Sequence, residues 1–303
     1  MLKARSNYEP KAGSRMKYAA PTTVDEARSL LADNPGSRVF AGATDVVPQM
    51  RSGRPEPTVL VDLKRIDRLM SVVHTDGHWT IGAATPTADL TRNTAFSGMF
   101  PGISEGAGLI GSDQIQNRSS LGGNLCNGSP AADSVPAMIA SEARAVIASR
   151  DGERTMPVGD VVTGPGRLSL ADGEFVVEFE IDDPPANTGD AYLRMTPRTE
   201  MDIAVVGAAV RVTMDGDVCT DARVVLGAVA PTAVRVAAAE AALVGSTLDD
   251  QTLADVAAAA SAAANPIDDK RGTVEYRTQV VGTLARRAAV LAAQRANGAE
   301  VSS

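Results

Sequence analysis

Along the first third of the chain, apolar positions recur with two periods that predict an alternation of helices and strands. Thr23-Val-Asp-Glu26 has the form of a capping box, and the apolar residues after it have helical spacing, which predicts a short helix ending at Asn34-Pro35-Gly36. Thr87 is expected to cap a second helix over residues 87–93. Short apolar runs predict strands at residues 38–41, 58–63 and 79–84. This order is typical of a small α/β subdomain.

The rest of the chain is predicted to hold two further strands and then a separate C-terminal unit. The two strands cover residues 143–149 and 174–181, and the Pro- and Gly-rich segment 182–189 is a candidate boundary. Beyond it, Asp215-Gly216 is a hairpin signal. Three strands and then three Ala-rich helices are predicted, in the order 191–195, 203–214, 222–229, 233–244, 251–264 and 274–296.

Residues 110–140 fit neither period. Polar residues fall on every face of a helix, and strand alternation fails after Ile115. Gly122, Gly123 and Gly128 leave the backbone uncovered, and small amides and hydroxyls surround them. The pattern favours a long binding loop, since bare backbone N–H groups and small hydroxyls suit an anion, especially a phosphate. A Gly-rich turn between two core elements fits the same pattern.

Composition indicates a globular protein and argues against a nucleic-acid partner. At 303 residues the chain can form one large or two medium domains, and 44% hydrophobic with 22% charged residues is ordinary for a globular protein. Because only 3% of the residues are aromatic, Val, Ala and Leu have to build the core. The net charge of −8 argues against a nucleic-acid partner, since nucleic acids recruit basic surfaces.

Cysteines and histidines are too few for a metal centre. Cys126 and Cys219 cannot hold an iron–sulfur cluster or form a disulfide framework. His74 and His78 could bind zinc from a helix, but their local pattern is a turn, so surface positions are expected. No apolar run reaches the ~20 residues of a membrane span and no signal peptide is expected, which predicts a cytoplasmic protein. Residues 1–15 are expected to form a flexible extension.

The segment Gly106-Ala-Gly-Leu-Ile-Gly111 matches the dinucleotide-binding expression G-x-G-x-x-G. That expression has a mechanism only between a buried strand and an apolar-faced helix. Here Pro101-Gly102 precedes it and Ser112-Asp-Gln follows it, so we interpret the match as chance.

Five ordered motifs point instead to one family. Ala41-Gly-Ala-Thr-Asp45 is the first, and Ser120-Leu-Gly-Gly-Asn124 followed by Ser129, Pro130 and Asp133 is the second. The others are Tyr192-Leu-Arg194, Met201-Asp-Ile-Ala-Val-Val-Gly207 and Pro266-Ile-Asp-Asp-Lys-Arg-Gly272. Together they resemble the FAD-binding medium subunit of the molybdenum hydroxylases, a family that includes the flavoprotein subunit of aerobic carbon monoxide dehydrogenase and the flavin domain of xanthine dehydrogenase. The resemblance covers about residues 16–287.

The resemblance implies an α+β fold. Residues 16–187 would form an FAD-binding domain of the vanillyl-alcohol oxidase (PCMH) type with two subdomains. Residues 188–298 would form a C-terminal domain with a three-stranded antiparallel sheet and three helices, in agreement with the pattern of the last third of the chain.

It also implies a set of cofactor-binding residues. Ala43 replaces the commoner family Gly, so a positive φ there would carry a cost. Asp133 and Asp45 could instead cap helices, and Tyr192 could be an ordinary buried strand residue. Neither a catalytic residue nor a metal ligand is expected. The implied residues are Ala41, Gly42, Ala43, Thr44, Asp45, Ile110, Ser119, Ser120, Leu121, Gly122, Gly123, Asn124, Asp133, Tyr192 and Arg194.

The function implied is electron transfer through FAD to an external acceptor. A small subunit with [2Fe–2S] clusters and a large subunit with the molybdenum cofactor would be the partners, in a dimer of heterotrimers. The FAD is expected to be non-covalent, because no histidine lies in either loop. Two alternatives stay open: a stand-alone FAD-dependent oxidase of a small alcohol or amine, and an assembly protein that has lost FAD.

Overall fold

Two lobes built around different sheets make up the first part of the chain. The structure, a computed structural model, describes residues 16–298, so the extension expected at residues 1–15 lies outside it. The first lobe consists of β1 (Lys17–Ala19), α1 (Val24–Asp33), β2 (Arg38–Phe40), α2 (Val46–Arg51), β3 (Val59–Asp62), a 3-10 turn (Leu63–Arg65) and α3 (Asp67–Met70). Its strands pair in parallel in the order β1-β3-β2. Thr23 caps α1 as predicted, because its side chain accepts the Glu26 N–H.

The second lobe is organised around a five-stranded antiparallel sheet. Its elements are β4 (Val72–Thr75), β5 (His78–Gly82), α4 (Thr87–Arg92), α5 (Thr94–Met99), α6 (Pro101–Gly108), α7 (Asp113–Gln116), α8 (Leu121–Cys126), α9 (Ser134–Ala140), β6 (Arg144–Ser149), β7 (Gly152–Pro157), a 3-10 turn (Val158–Asp160), β8 (Val162–Gly164), β9 (Arg167–Leu168) and β10 (Phe175–Asp182). The sheet order is β4-β5-β10-β6-β7, and β8 pairs with β9 in a separate hairpin. Strands β4 and β7, which the apolar pattern did not predict, lie at the two edges of the sheet.

The prediction of one long loop over residues 110–140 is wrong, since α7, α8 and α9 lie within it. The polar residues there serve local capping. The Ser120 side chain accepts the Gly123 N–H at the start of α8, and Asn124 Oδ1 accepts hydrogen bonds from the Ser134 N–H and hydroxyl. The three helices have only four, six and seven residues, so a periodicity that needs a longer window could not find them.

The predicted cap of α4 is also wrong. Pro86 occupies the N-cap position without a side-chain capping bond, and Thr87 is the first helical residue. The Thr87 side chain is completely buried and shares a 2.8 Å hydrogen bond with the Ser119 hydroxyl. Thr87 thus connects α4 to the segment that leads into α8. The G-x-G-x-x-G segment, Gly106 to Gly111, starts inside α6 rather than in a turn between a strand and a helix. This position confirms that the match is accidental.

The C-terminal part has the predicted hairpin and helices. It comprises β11 (Thr188–Met195), β12 (Val206–Asp215), β13 (Val218–Gly227), β14 (Val234–Arg235), α10 (Ala237–Leu243), α11 (Asp250–Ala263) and α12 (Val274–Ala296). The three predicted strands are antiparallel neighbours, and the two-residue β14 adds an edge that was not predicted. Gly216 takes a φ of +58° in the tight turn after Asp215. We propose residues 16–187 and 188–298 as the two domains.

Small aliphatic side chains fill the C-terminal core, as the scarcity of aromatic residues predicted. Ala285, Ala288, Ala289 and Ala292 on α12 are completely buried against the sheet, among valines of β12 and β13. A cluster of aromatic rings lies in the second lobe, where Phe96 contacts Trp79 edge-on and packs beside Phe100. The fold class is the expected α+β arrangement. No helix among residues 16–298 is both long enough and apolar enough to cross a membrane.

Helix α6 contacts strand β11 across the boundary between the two domains, and α9 also packs against β11, β12 and β13. Glu105 on α6 accepts the Tyr192 N–H at 2.7 Å and also accepts a hydrogen bond from Arg295 of α12. The Gly102 N–H donates to Asp190 Oδ1 at 3.2 Å. Asp190 Oδ2 is buried without a hydrogen-bond partner, and this burial raises the pKa of Asp190 to about 7.

The contribution of Asp190 to stability should therefore fall as pH rises from about 4 through 7. The folded protein holds the Asp190 proton more tightly than the unfolded chain, so ionisation costs the folded state up to roughly 4 kcal/mol, at about 1.4 kcal/mol per pKa unit. Asp190→Asn keeps an acceptor for Gly102 but carries no charge. In urea unfolding at pH 8, we expect the free energy of unfolding of Asp190→Asn to exceed that of the wild type by roughly 1–2 kcal/mol, less than the full ionisation cost because the buried amide lacks a partner. At pH 4, where Asp190 is protonated, we expect no gain. Equal gains at pH 4 and pH 8 would contradict this assignment.

Candidate functional site

A cavity of about 400 Å³ lies between the two lobes of the first domain. Its volume is within the usual range for small-molecule sites. The first lobe contributes the end of β2 and the residues leading into α2, and the second lobe contributes α8 and residues 168–176. Eleven of the residues implied by the family resemblance line it: Ala41, Gly42, Ala43, Thr44, Asp45, Ile110, Ser119, Ser120, Gly122, Gly123 and Asn124.

The first loop presents unpaired backbone donors to this cavity. Ala43 has a φ of +61°, and the chain returns to right-handed geometry at Asp45. No hydrogen bond of the described residues uses the N–H groups of Ala43, Thr44 or Asp45. Successive N–H groups at such a reversal form a concave anion-binding nest. The first loop is therefore equipped to hold a phosphate through its backbone.

Lys64 anchors the start of this loop through a hydrogen bond to its backbone. Lys64 Nζ donates to the Ala41 carbonyl at 2.8 Å and to Asp62 at 2.6 Å, and it lies 4.4 Å from the centroid of the Phe40 ring. The Tyr18 hydroxyl donates to the second Asp62 oxygen, which keeps that carboxylate in place. These contacts fix the chain where β2 ends and the loop begins.

The three glycines of the two loops do different things. A Cβ on Gly42 would overlap the Arg118 carbonyl, and one on Gly122 would lie 2.5 Å from the Ala83 carbonyl. These two glycines therefore allow two backbone segments of the chain to pack closely against each other. A Cβ on Gly123 would meet only the Ser120 hydroxyl, at 3.3 Å, so Gly123 leaves space open on the cavity side of α8.

Four of the implied residues do not line the cavity. Leu121 is 1% exposed and belongs to the core. Asp133 stands at the N-cap position of α9 without capping it, because its two oxygens accept hydrogen bonds from the Tyr192 hydroxyl at 2.8 Å and from Arg194 at 2.7 Å. The resulting cluster joins the start of α9 to β11 of the C-terminal domain. It is linked to the cavity through Ser134 and Asn124.

In this cluster, burial has the largest effect on the pKa values of Asp133 and Tyr192. It raises the pKa of Asp133 to about 6, although Arg194 and the Tyr192 hydroxyl oppose the shift. Burial and the Asp133 charge together raise the pKa of Tyr192 well above its ordinary value. Both side chains of the Asp133–Arg194 ion pair are less than a tenth exposed, so removing one partner would leave a buried charge.

Several cavity residues carried no recognisable signal in the sequence. Arg38 on β2 and Asn127 after α8 line the wall, as does the segment 168–176 from a different part of the chain. An Arg at the start of a short strand is ordinary at the sequence level. Only the pairing of β2 with β3 and the position of α8 bring these residues together.

Cys126 lines the cavity as a free thiol. Burial raises the pKa of its thiol to about 12, so the thiol stays protonated near pH 7. His74 lies on β4, stacks on Trp79 and bonds to Asp183, and His78 on β5 bonds to Asp182. Within residues 16–298, no three His, Cys, Asp or Glu side chains gather as a metal site.

Ala43→Gly should stabilise the protein. An L-residue at φ +61° is strained, and glycine adopts this conformation without that cost. We expect the free energy of unfolding to rise by roughly 0.5–1 kcal/mol with ligand binding retained, measured by urea denaturation. Ala41→Gly is the matched control two residues away, where φ is not positive and the same change should destabilise. Equal losses in both variants would show that Ala43 is not strained.

Comparison with known protein families agrees with this architecture. The profile described as "FAD binding domain in molybdopterin dehydrogenase" matches residues 14–184, and that described as "CO dehydrogenase flavoprotein C-terminal domain" matches residues 191–292. The fold, the cavity between two lobes and these matches define an oxidoreductase flavoprotein.

Relatives and solved structures are similar over nearly the whole chain. The xanthine dehydrogenase FAD-binding subunit of Escherichia coli O157:H7 is 30% identical over 272 residues, which cover 89% of this chain and 93% of the relative. The carbon monoxide dehydrogenase medium chain of Hydrogenophaga pseudoflava is 31% identical over 275 residues, with coverage of 90% and 96%. The solved carbon monoxide dehydrogenase from the same organism superposes with a TM-score of 0.89 at 33% identity, covering 93% of this chain and 98% of that one. The chain belongs to the family of FAD-binding medium subunits of the molybdenum hydroxylases.

Proposed function

We propose that this chain holds FAD non-covalently in the cavity between its two lobes and relays electrons from [2Fe–2S] clusters of a partner subunit to an external acceptor. The observation that carries the proposal is the run of unpaired N–H groups at Ala43, Thr44 and Asp45, which line the same cavity as the open position at Gly123. When bound, FAD supplies the redox chemistry, accepting electrons singly or in pairs.

The residues present fit the two chemically distinct parts of such a ligand. Unpaired amides and the Ser119, Ser120 and Thr44 hydroxyls on the wall suit a pyrophosphate. Apolar Ile110 and Leu168 on the same cavity suit a flat ring system. Gly123 adds no side chain where the ligand would pass, so the cavity stays wide enough for a phosphate to approach the backbone.

The chain's own contribution is binding and orientation. Lys64 fixes the Ala41 carbonyl, and Ser120 caps α8 through Gly123, so both loops are held before a ligand arrives. The Asp133–Tyr192–Arg194 cluster ties the second lobe to β11, which sets the position of the C-terminal domain beside the site. A preformed site loses less conformational freedom on binding.

Partners complete the proposal. A small [2Fe–2S] subunit and a large molybdenum-cofactor subunit would assemble with this chain as a dimer of heterotrimers, in the cytoplasm. Relatives are named after xanthine, carbon monoxide and nicotine, so similar medium chains belong to enzymes of unlike substrates. We infer that substrate is selected by the large subunit, and that no substrate-hydroxylating residue lies on this chain.

The purified chain offers a direct test. Denaturation should release all yellow colour as FAD identified by mass, and metal analysis should find neither iron nor molybdenum in stoichiometric amounts. Colour remaining on the chain would contradict non-covalent binding, and stoichiometric iron would contradict the division of labour among subunits. A chain that cannot take up FAD would favour an assembly protein. Turnover of a small alcohol or amine by the chain alone would favour a stand-alone oxidase.

A further inference from the structure

Arg38 is a cation on the cavity wall without a protein counter-ion. Its guanidinium donates to the neutral Gln49 Oε1 at 2.8 Å, and none of the salt bridges among residues 16–298 includes it. Four arginines whose side chains are less than a fifth exposed do meet carboxylates: Arg194, Arg211, Arg277 and Arg295 each lie within 4 Å of one. A partly buried charge with only a neutral acceptor points to a counter-charge that comes from outside the chain.

The acceptor of Arg38 is itself held in a fixed orientation. Gln49 Nε2 donates to Asn127 Oδ1 at 2.9 Å, which turns Gln49 Oε1 towards Arg38. Arg54 also donates to this oxygen, at 3.5 Å, so two cations share one neutral acceptor. Burial lowers the pKa of Arg38, and the Arg54 charge lowers it further, while Asp45 opposes both.

Asp45 does not neutralise Arg38 by contact. It lies on the same wall, is exposed to the cavity, and forms no ion pair with Arg38 within 4 Å in the described part of the chain. Partial burial raises the pKa of Asp45, and the Arg38 charge opposes this shift. Among the described residues that line the cavity, Arg38 is the one cation, and none of the carboxylates forms an ion pair with it. The lining carboxylates are Asp45, Asp172 and Glu174, and Glu174 is paired with Arg154. The unpaired amides of the first loop lie on the same wall.

We propose that Arg38 is a charged anchor for the pyrophosphate of the bound dinucleotide, acting beside the backbone amides of residues 43–45. This inference rests on the proposed function. It adds a side-chain cation to a site whose sequence motifs contain only neutral phosphate-binding groups. A guanidinium hydrogen bond to phosphate is charge-assisted and stronger than a neutral one. Ligand affinity should therefore depend on the Arg38 charge and on ionic strength.

The test compares three variants of the full chain after removal of flavin. FAD titrations followed by flavin fluorescence at low and high salt would give the dissociation constant for each. Arg38→Gln should weaken FAD binding about tenfold at low salt, equal to about 1.4 kcal/mol, and should flatten the salt dependence. Arg38→Lys should recover most of the affinity. Arg54→Gln is the matched control, because Arg54 shares the Gln49 oxygen but is exposed and does not line the cavity. The FAD affinity of this variant should stay within twofold of the wild-type value.

Riboflavin separates a charge effect from a structural one. It has no pyrophosphate, so wild type and Arg38→Gln should bind it equally. Equal loss of riboflavin and FAD in Arg38→Gln, or unchanged FAD affinity in that variant, would overturn the proposal. If the wild type binds inorganic pyrophosphate through Arg38 but not FAD, the proposed function fails while the anion anchor stands. If the wild type binds neither, both fail.

Discussion

Gly42→Ala is expected to abolish FAD uptake and to lower the free energy of unfolding by roughly 3 kcal/mol or more. The added Cβ would overlap the backbone carbonyl of Arg118, which cannot move away as a flexible side chain could. Relief requires the first loop to separate from the segment before α8, and the cavity lies between these two segments. Urea denaturation and the flavin content of the purified chain measure the two effects.

Gly98→Ala provides the control for this substitution. Gly98 lies on α5 of the same domain, and a Cβ there would meet nothing within 4 Å. Alanine is the better helix former by roughly 0.5–1 kcal/mol, so this variant should be as stable as the wild type or slightly more so, with full FAD content. A Gly42→Ala protein that unfolds and binds FAD like Gly98→Ala would show that the two segments do not make this close contact.

Gly123→Val should separate binding from stability. Its φ is not positive and its Cβ position is open except for the Ser120 hydroxyl at 3.3 Å, so the unliganded fold should change by less than about 1 kcal/mol. The two methyl groups would extend from α8 on the cavity wall, where we propose that the pyrophosphate binds. We expect FAD affinity to fall at least tenfold, or about 1.4 kcal/mol.

The backbone strain that a Gly-Gly pair suggests at this position is absent, so the expected loss comes from the clash alone. Gly123→Ala is the graded control, since its single methyl group should cost less affinity than valine does. Melting temperatures without FAD should match across wild type, Gly123→Ala and Gly123→Val. Full FAD occupancy in Gly123→Val would mean that Ser120 to Asn124 is only a structural turn and that the cofactor binds elsewhere.

Elements that follow one period were predictable from the sequence. The boundaries of α12 and the hairpin at Asp215-Gly216 were predicted closely, because long Ala-rich helices and tight turns are determined by local chemistry. Edge strand β7 was not predicted, since most of its residues are exposed and its pairing with β6 alone makes it a strand. Helices α7, α8 and α9 were missed because they have only four, six and seven residues, which is too short for a helical period to show in the sequence.

The candidate site was also predictable only in part from the sequence. Motif spacing was sufficient to select both loops, and eleven of the fifteen implied residues meet at one cavity. It could not show that Gly42 and Gly122 pack against protein while Gly123 stays open, because that depends on distant carbonyls. Nor could it show that Asp133 bonds to Tyr192 and Arg194, or that Arg38 lies on the wall.

The most direct measurement follows electrons through the assembled complex. The wild-type complex and one carrying FAD-depleted Gly123→Val would be mixed anaerobically with whichever of carbon monoxide, xanthine and nicotine bleaches the wild-type iron–sulfur absorbance. Each would then be offered NAD, a quinone or oxygen. We predict that substrate bleaches the clusters in both complexes, but that only the wild type passes the electrons on to an acceptor. A flavin-free complex that reduces the acceptor at the wild-type rate would contradict the proposal that this chain is the electron relay.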